Sequence, residues 1–345
     1  MPPDTQYGSV LLAPPVVPAH APDDRRRQIT QFRHRDSGRL APNFSLPPLH
    51  SSPIHAQSPA SPSADVVTRA LEEQPLPSLL FSGLLLAAVG YFLVRTVLRS
   101  VRPRMPELAG TLSVPATFLT TMLAVETFLL LILGQLATLG ILRMSCGAEH
   151  PLRAQPIYEG LVARMGGNVL ATLHLWVHLS VRRRSFLEEL GLRPPDAARS
   201  VCMGCASYLA VVPLVIGAMA LEVAGYRFLG KSLPTQEAVS SLAGDPELRV
   251  NVPLLATLAL VVPWFEEILF RGLLFAVLLK HLAPRHAILV SAALFALMHD
   301  AGHLPVFVLG ATMAALYHRS GRLLVPYALH VLHNSLVLTV LVSGG

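Results

Sequence analysis

From residue 78 to residue 342 the chain is a succession of apolar runs. Each approaches the ~20 residues that a helix needs to cross a bilayer. The runs cover 78–98, 116–142, 161–181, 201–223, 251–279, 287–302, 304–318 and 323–342. Lipid offers no hydrogen-bond partner to the backbone, so runs of this kind fold as helices that satisfy their own N–H and C=O groups. The pattern predicts an all-α, polytopic membrane protein of about eight transmembrane helices. The sixth and seventh runs are short and separated by Gly302 and Pro305, so they are expected to tilt or re-enter. Composition agrees, with 52% hydrophobic and only 14% charged residues, against about 25% charge in a soluble domain. The net charge of +6 does not indicate nucleic acid. Its basic residues cluster at run ends and in the N-terminal tail, where membrane orientation accounts for them. No internal repeat is evident.

Residues 1–77 hold 14 of the 29 prolines, many serines and only scattered apolar side chains. Such a segment cannot bury enough surface to fold and is expected to be disordered. It opens without a positive region leading into an apolar core, so no secretory signal is expected. Arg25, Arg26 and Arg27 read as a solvated basic linker rather than a lipid contact. Cys146, Cys202 and Cys205 make no disulfide framework. The CxxC spacing of Cys202 and Cys205 opens an apolar run without a second ligand pair, and reads as small-residue packing.

The charges between runs set an orientation. Arg95, Arg99, Arg102, Arg104, Arg182, Arg183, Arg184, Arg193, Arg199, Lys280, Arg285, Arg319 and Arg322 follow the odd-numbered runs. The opposite loops hold Arg143, Arg153, Arg164, Arg227, Lys231 and Arg249. Cytoplasmic loops carry the excess of Lys and Arg, so the C-terminal ends of the odd runs belong in the cytoplasm. The tail then lies outside, against the pull of its own seven arginines. An extra, missed or non-spanning segment would resolve that tension.

Against this apolar background, Val261–Phe275 reads VVPWFEEILFRGLLF. Charges at membrane depth are costly and mark function. Glu267 and Arg271 are four apart on a helix, in the favourable order, and share a face. Glu266 is five residues from Arg271 and points about 140° away. Arg271 can therefore neutralise Glu267 and leave Glu266 free. A pair that only pins helices together would explain one Glu and the Arg, but not the second Glu. An apolar setting makes an unpaired carboxylate more basic, as a general base requires.

Other polar residues sit at similar positions. His299 closes the sixth run, and His303 follows at the spacing of a metal pair. Gly302 and Pro305 argue against one continuous helix through both. In the last run His330 and Asn334 share a helix face, while His333 is turned aside. These could be interhelical hydrogen-bond partners or donors aimed at an oxyanion. Glu126 is a spare carboxylate in the second run, expected to make a structural hydrogen bond. At 1.5 Å per residue, Glu266 lies roughly 22 Å from the outer start of its run, leaving roughly 8 Å of core on the cytoplasmic side. His299, His330 and Asn334 fall roughly 18, 10 and 16 Å from their cytoplasmic starts. All four thus share one band, expected in the cytoplasmic half. A Glu, two His and an Asn at one depth can activate water for amide hydrolysis.

At these residues the sequence resembles the CPBP family, the CAAX protease and bacteriocin-processing (Abi) intramembrane proteases that include type II CAAX prenyl endopeptidases. The family's EExxxR motif is matched by Glu266–Arg271, with Gly272 following; FxxxH by Phe295–His299; and HxxxN by His330–Asn334. The three occur in order over residues 251–342, and residues 186–195, FLEELGLRPP, resemble a segment found upstream in the family. The resemblance implies an eight-helix fold with an intramembrane catalytic cavity facing the cytoplasm. It implies catalysis by Glu266 as base, His299 as its partner, and His330 and Asn334 at the oxyanion, with Glu267 and Arg271 ordering the site. The resulting division is 1–77 disordered Pro-rich basic tail, 78–200 N-terminal transmembrane helices and cytoplasmic loop, and 201–345 catalytic transmembrane core. No cofactor is expected. The alternative is a zinc site on Glu266, His299 and His330. His303, His318 and His333 match no motif.

Two non-proteolytic classes compete. A membrane scaffold or immunity-type protein has no need of Glu266, and a proton-coupled transporter would be expected to show paired halves that are not seen. The expected partners are the bilayer and a membrane-associated protein or peptide substrate. The Ala-, Arg- and Pro-rich, Lys-poor composition points to a high-GC bacterial genome, hence to a bacterial cytoplasmic membrane and a substrate that need not be prenylated.

Overall fold

The computed structural model describes residues 70–101, 117–181, 187, 190–192 and 197–343. The disorder expected for residues 1–69 lies outside the described residues. Among the described residues the fold is all-helical, without strands. The longer helices are α1 (Leu76–Ser100), α2 (Thr117–Ser145), α3 (Pro156–Val181), α4 (Ala197–Phe228), α5 (Glu237–Gly244), α6 (Val252–His281), α7 (Pro284–Leu297), α8 (His303–Ser320) and α9 (Leu324–Ser343). Eight of these, all but α5, fall on the eight apolar runs. By length and composition, α1, Thr121–Ser145 of α2, α4, α6 and α9 are long and apolar enough to cross a membrane. The protein is an integral, multi-pass membrane protein.

The tail ends earlier than its composition suggests. Residues 70–72 already form a helical turn. Leu71 is buried with Leu79, Ala220, Val223 and Ala224, and Arg227 donates to the Gln74 carbonyl at 2.5 Å. One apolar side chain with a pocket on α4 is enough to order the last residues before α1.

Small residues let the peripheral helices close up, as membrane helix pairs require. α1 packs along α4 and α2 along α3. A Cβ on Gly217 of α4 would stand 2.6 Å from the Ala87 nitrogen of α1. At the α2–α3 contact, a Cβ on Gly134 would meet the Gly167 Cα at 2.9 Å.

α6 runs through the centre, and its residues 268–273 are all buried. It contains two wider, π-type turns, Thr257–Val261 and Ile268–Leu274. Such turns are rare and concentrate at functional sites. The first has a readable cause. Val262 N–H bonds Thr257 O, one residue further back than in an α-helix. The matching donor for Leu258 O would be residue 263, which is proline and has no N–H. The Leu258 carbonyl is thereby left without a backbone donor.

The α7–α8 junction breaks as Gly302 and Pro305 suggested. α7 ends at Leu297, and Gly302 takes the left-handed conformation, φ 69°, before α8 starts at His303. The first amides of α8, at His303 and Leu304, donate to the Glu222 carboxylate at 3.1 Å each. Glu222 is thus a capping group, favourably placed at a helix N-terminus. His299 and His303 lie on opposite sides of this break and do not form one helical pair.

Candidate active site

Glu266 and Glu267 stand near the middle of α6. Glu267 is fully buried, as is Arg271, and their charged atoms approach to 3.2 Å across one turn. Arg271 donates also to Gly310 O at 3.4 Å, and its guanidinium lies 4.2 Å from the centre of the Phe295 ring. Gly310 makes room for this. A Cβ there would come within 3.1 Å of Phe295 Cδ1 and 3.5 Å of Arg271 Nη2. Gly272 has a similar purpose, since a Cβ would meet Leu190 Cδ2 at 2.6 Å. Leu190, from the segment upstream of α4, is fully buried in the core with Ile268 and Leu273.

His330 joins the two glutamates. Its Nδ1–H donates to Glu267 Oε1 at 2.9 Å, because the carboxylate can only accept. That turns Nε2 towards Glu266 Oε2, 3.7 Å away. Glu266 has no contact as short as those of its neighbour. It remains 13% exposed, with Arg164 Nη1 from α3 at 3.7 Å. His299 donates Nδ1–H to Phe295 O at 2.8 Å, leaving Nε2 as its free ring nitrogen. Phe295 is the hub of this cluster. Its ring packs edge-on against His299 at 4.7 Å, Phe270 at 5.0 Å and His330 at 5.8 Å.

Asn334 lies on the same cavity, with one proton of its amide assigned. Nδ2 donates to Leu258 O at 3.1 Å, the carbonyl that Pro263 leaves without a backbone donor. Of the two amide protons one therefore holds α9 to α6, and one remains. Two residues not placed in the site by sequence also line the cavity. Arg164 sits in an apolar run outside the three motifs. His333, turned aside from Asn334, meets Tyr208 OH at 3.4 Å.

Glu266, His299, His330 and Asn334 thus line one cavity of about 260 Å³, with Arg164 and His333. Its remaining wall is largely apolar and comes from Met219, Leu233, Val239, Leu242 and Leu338, among others. The cavity lies towards residues 233–242 and 301–306, at the end of the bundle away from His281.

Among the described residues, no three His, Cys, Asp or Glu side chains are grouped to hold a metal ion. Glu266, His299 and His330, the residues of the alternative zinc site, are not grouped in that way as placed. Outside the cavity, Glu126 lies 3.7 Å from His174, whose Nδ1 meets Thr127 Oγ1 at 3.0 Å.

The fold and cavity define a helical membrane protein with polar chemistry enclosed among its spans. Residues 248–336 match the family model of the Rce1-like type II CAAX prenyl endopeptidases. An Escherichia coli protein, named only as an uncharacterized 24.3 kDa protein, is 30% identical over 129 residues. The match covers 35% of this chain and 59% of that relative, so the chain spans less than two thirds of the relative's length. No solved structure matches.

Proposed function

We propose that the protein is an intramembrane endopeptidase that hydrolyses a peptide bond of a membrane-associated protein or peptide with a water activated by Glu266. The observation that carries this reading is the unequal treatment of two adjacent carboxylates. Glu267 is sealed and paired with Arg271 and His330, whereas Glu266 reaches the cavity and its charged partners among the described residues, Arg164 and His330, stand 3.7 Å away. A buried ion pair alone needs only one of them.

The chemistry follows from the donors and acceptors on the wall. Glu266 takes a proton from water while the oxygen attacks the scissile carbonyl. His299 Nε2, its tautomer held by the bond to Phe295 O, accepts the water's other hydrogen and orients it. The carbonyl oxygen becomes an oxyanion, which preorganised donors stabilise. His330 in its protonated form, the remaining Asn334 amide proton and the Arg164 guanidinium are the candidates. As the C–N bond breaks, the proton taken from water passes to the leaving amine. Glu267 and Arg271 fix His330 and thus position it rather than react.

Prenylated CAAX proteins are the substrates that the family's name records. For this chain the reading is coarser, a membrane-associated polypeptide in a bacterial cytoplasmic membrane. Cleavage of a membrane-peptide library by the purified protein in ¹⁸O-labelled water tests it. One label should enter each new carboxyl terminus, chelation should leave the rate unchanged, and Glu266→Gln should abolish cleavage. Equal cleavage by that variant removes the base assignment, and activity restored only by zinc overturns the metal-free route.

A further inference from the structure

Three histidines line the cavity, His299, His330 and His333. A neutral imidazole has one proton, and its surroundings decide which ring nitrogen holds it. His330 gives its proton to Glu267 and His299 gives its proton to Phe295 O, both through Nδ1–H. When neutral, each is therefore left with a lone pair on Nε2. That nitrogen can accept from water, but it cannot donate to a negative oxygen.

His333 is arranged the other way. Its Nδ1 lies 3.4 Å from Tyr208 Oη, and the two rings meet edge-on at 5.9 Å. Tyr208 is only 5% exposed, and among the described residues its hydroxyl has no other hydrogen-bond partner. A buried phenol proton needs an acceptor, and Nδ1 is the one in reach. Tyr208 therefore donates to Nδ1, and the His333 proton stays on Nε2. Tyr208 does not line the cavity whereas His333 does, so the ring edge that carries Nε2 is the one left to face it. On α9 the three polar residues fall within an arc of about 100°, with His333 on one side of His330 and Asn334 on the other.

We infer that His333 Nε2–H is a hydrogen-bond donor to the oxyanion, acting beside the remaining Asn334 amide proton, and that Tyr208 is a positioning residue that sets its tautomer. The inference rests on the proteolytic reading above. A neutral imidazole can polarise a carbonyl in this way. It needs no second proton to do so, whereas His330, with its own proton committed to Glu267, does.

The test uses the full chain purified in detergent and one peptide of the membrane-peptide library that wild type cleaves. A Gln amide reaches the position of Nε2, and an Asn amide that of Nδ1, so the two substitutions separate the ring nitrogens. His333→Leu should lower kcat on the order of 10²-fold, as loss of an oxyanion donor does, with KM little changed. His333→Gln should recover much of that loss and His333→Asn little. A residue that served only to bond Tyr208 would give the opposite order. Should His333→Leu fail to fold, the Gln and Asn variants carry the comparison. The histidine ¹⁵N NMR spectrum, with the His333 signals identified by their loss in His333→Gln, should place the proton on Nε2, and Tyr208→Phe should mix the two tautomers. Rescue by Asn rather than Gln, wild-type kcat in His333→Leu, or a proton on Nδ1 overturns the inference. Equal cleavage by wild type and Glu266→Gln would defeat the protease reading, and the oxyanion with it, while a proton on Nε2 would still leave His333 as a donor to the cavity.

Discussion

Two layers of the site meet on one turn of α6 and differ in almost every physical respect. The lower layer centres on Glu267 and Arg271, both fully buried, with a 3.2 Å ion pair, a 2.9 Å hydrogen bond from His330 to Glu267 and the guanidinium over the Phe295 ring. The upper layer, Glu266, His299 and Arg164, borders the cavity, with its charged groups 3.7 Å apart. Consecutive residues therefore carry unlike tasks. A carboxylate locked by two partners holds helices and fixes a histidine. One with loose partners on a cavity is available to a substrate.

The difference can be broken from either side. The largest expected effect is on rate, from the upper layer. Glu266→Gln should lower cleavage by about 10²–10⁴, the contribution of a positioned base, while thermal unfolding in detergent stays near wild type. Next comes the lower layer. Arg271→Met leaves the Glu267 charge buried without its cation, which costs about 3–5 kcal/mol, read as a lowered unfolding midpoint with inactivity as a consequence. Asn334→Ala should cost less, about 1 kcal/mol, the loss of its hydrogen bond to the half-buried Leu258 carbonyl, again read by unfolding. The smallest effect belongs to the mouth. Arg164→Gln should slow turnover on the order of tenfold, below a fully enclosed oxyanion donor, because the guanidinium is 42% exposed and water screens it. Arg164→Lys should recover part of that loss in kcat with KM little changed.

Much of this was legible from spacing. The four-residue interval from Glu267 to Arg271 forecast their pair, and Gly302 with Pro305 forecast the break that separates His299 from His303. The apolar runs forecast where eight of the helices fall, five of them long and apolar enough to cross a membrane, short of the expected eight spans. What spacing could not supply was contact between distant segments. Arg164 lies in an apolar run before any motif, and only the packing of α3 beside α6 brings it to Glu266. The Asn334 bond spans 76 residues and exists because Pro263 frees a carbonyl in a π-type turn. The proline was visible as a clue, but the register that exposes Leu258 O was not. Leu71, one buried side chain in a polar tail, carried no periodic signal at all.

The division between the two glutamates is tested most directly by comparing Glu266→Gln and Glu267→Gln in one detergent preparation, measuring cleavage rate and unfolding midpoint for each. Glu266→Gln should lose cleavage and keep its midpoint, whereas Glu267→Gln should lower the midpoint markedly. Equal destabilisation by the two variants, or cleavage that survives Glu266→Gln, would contradict the account.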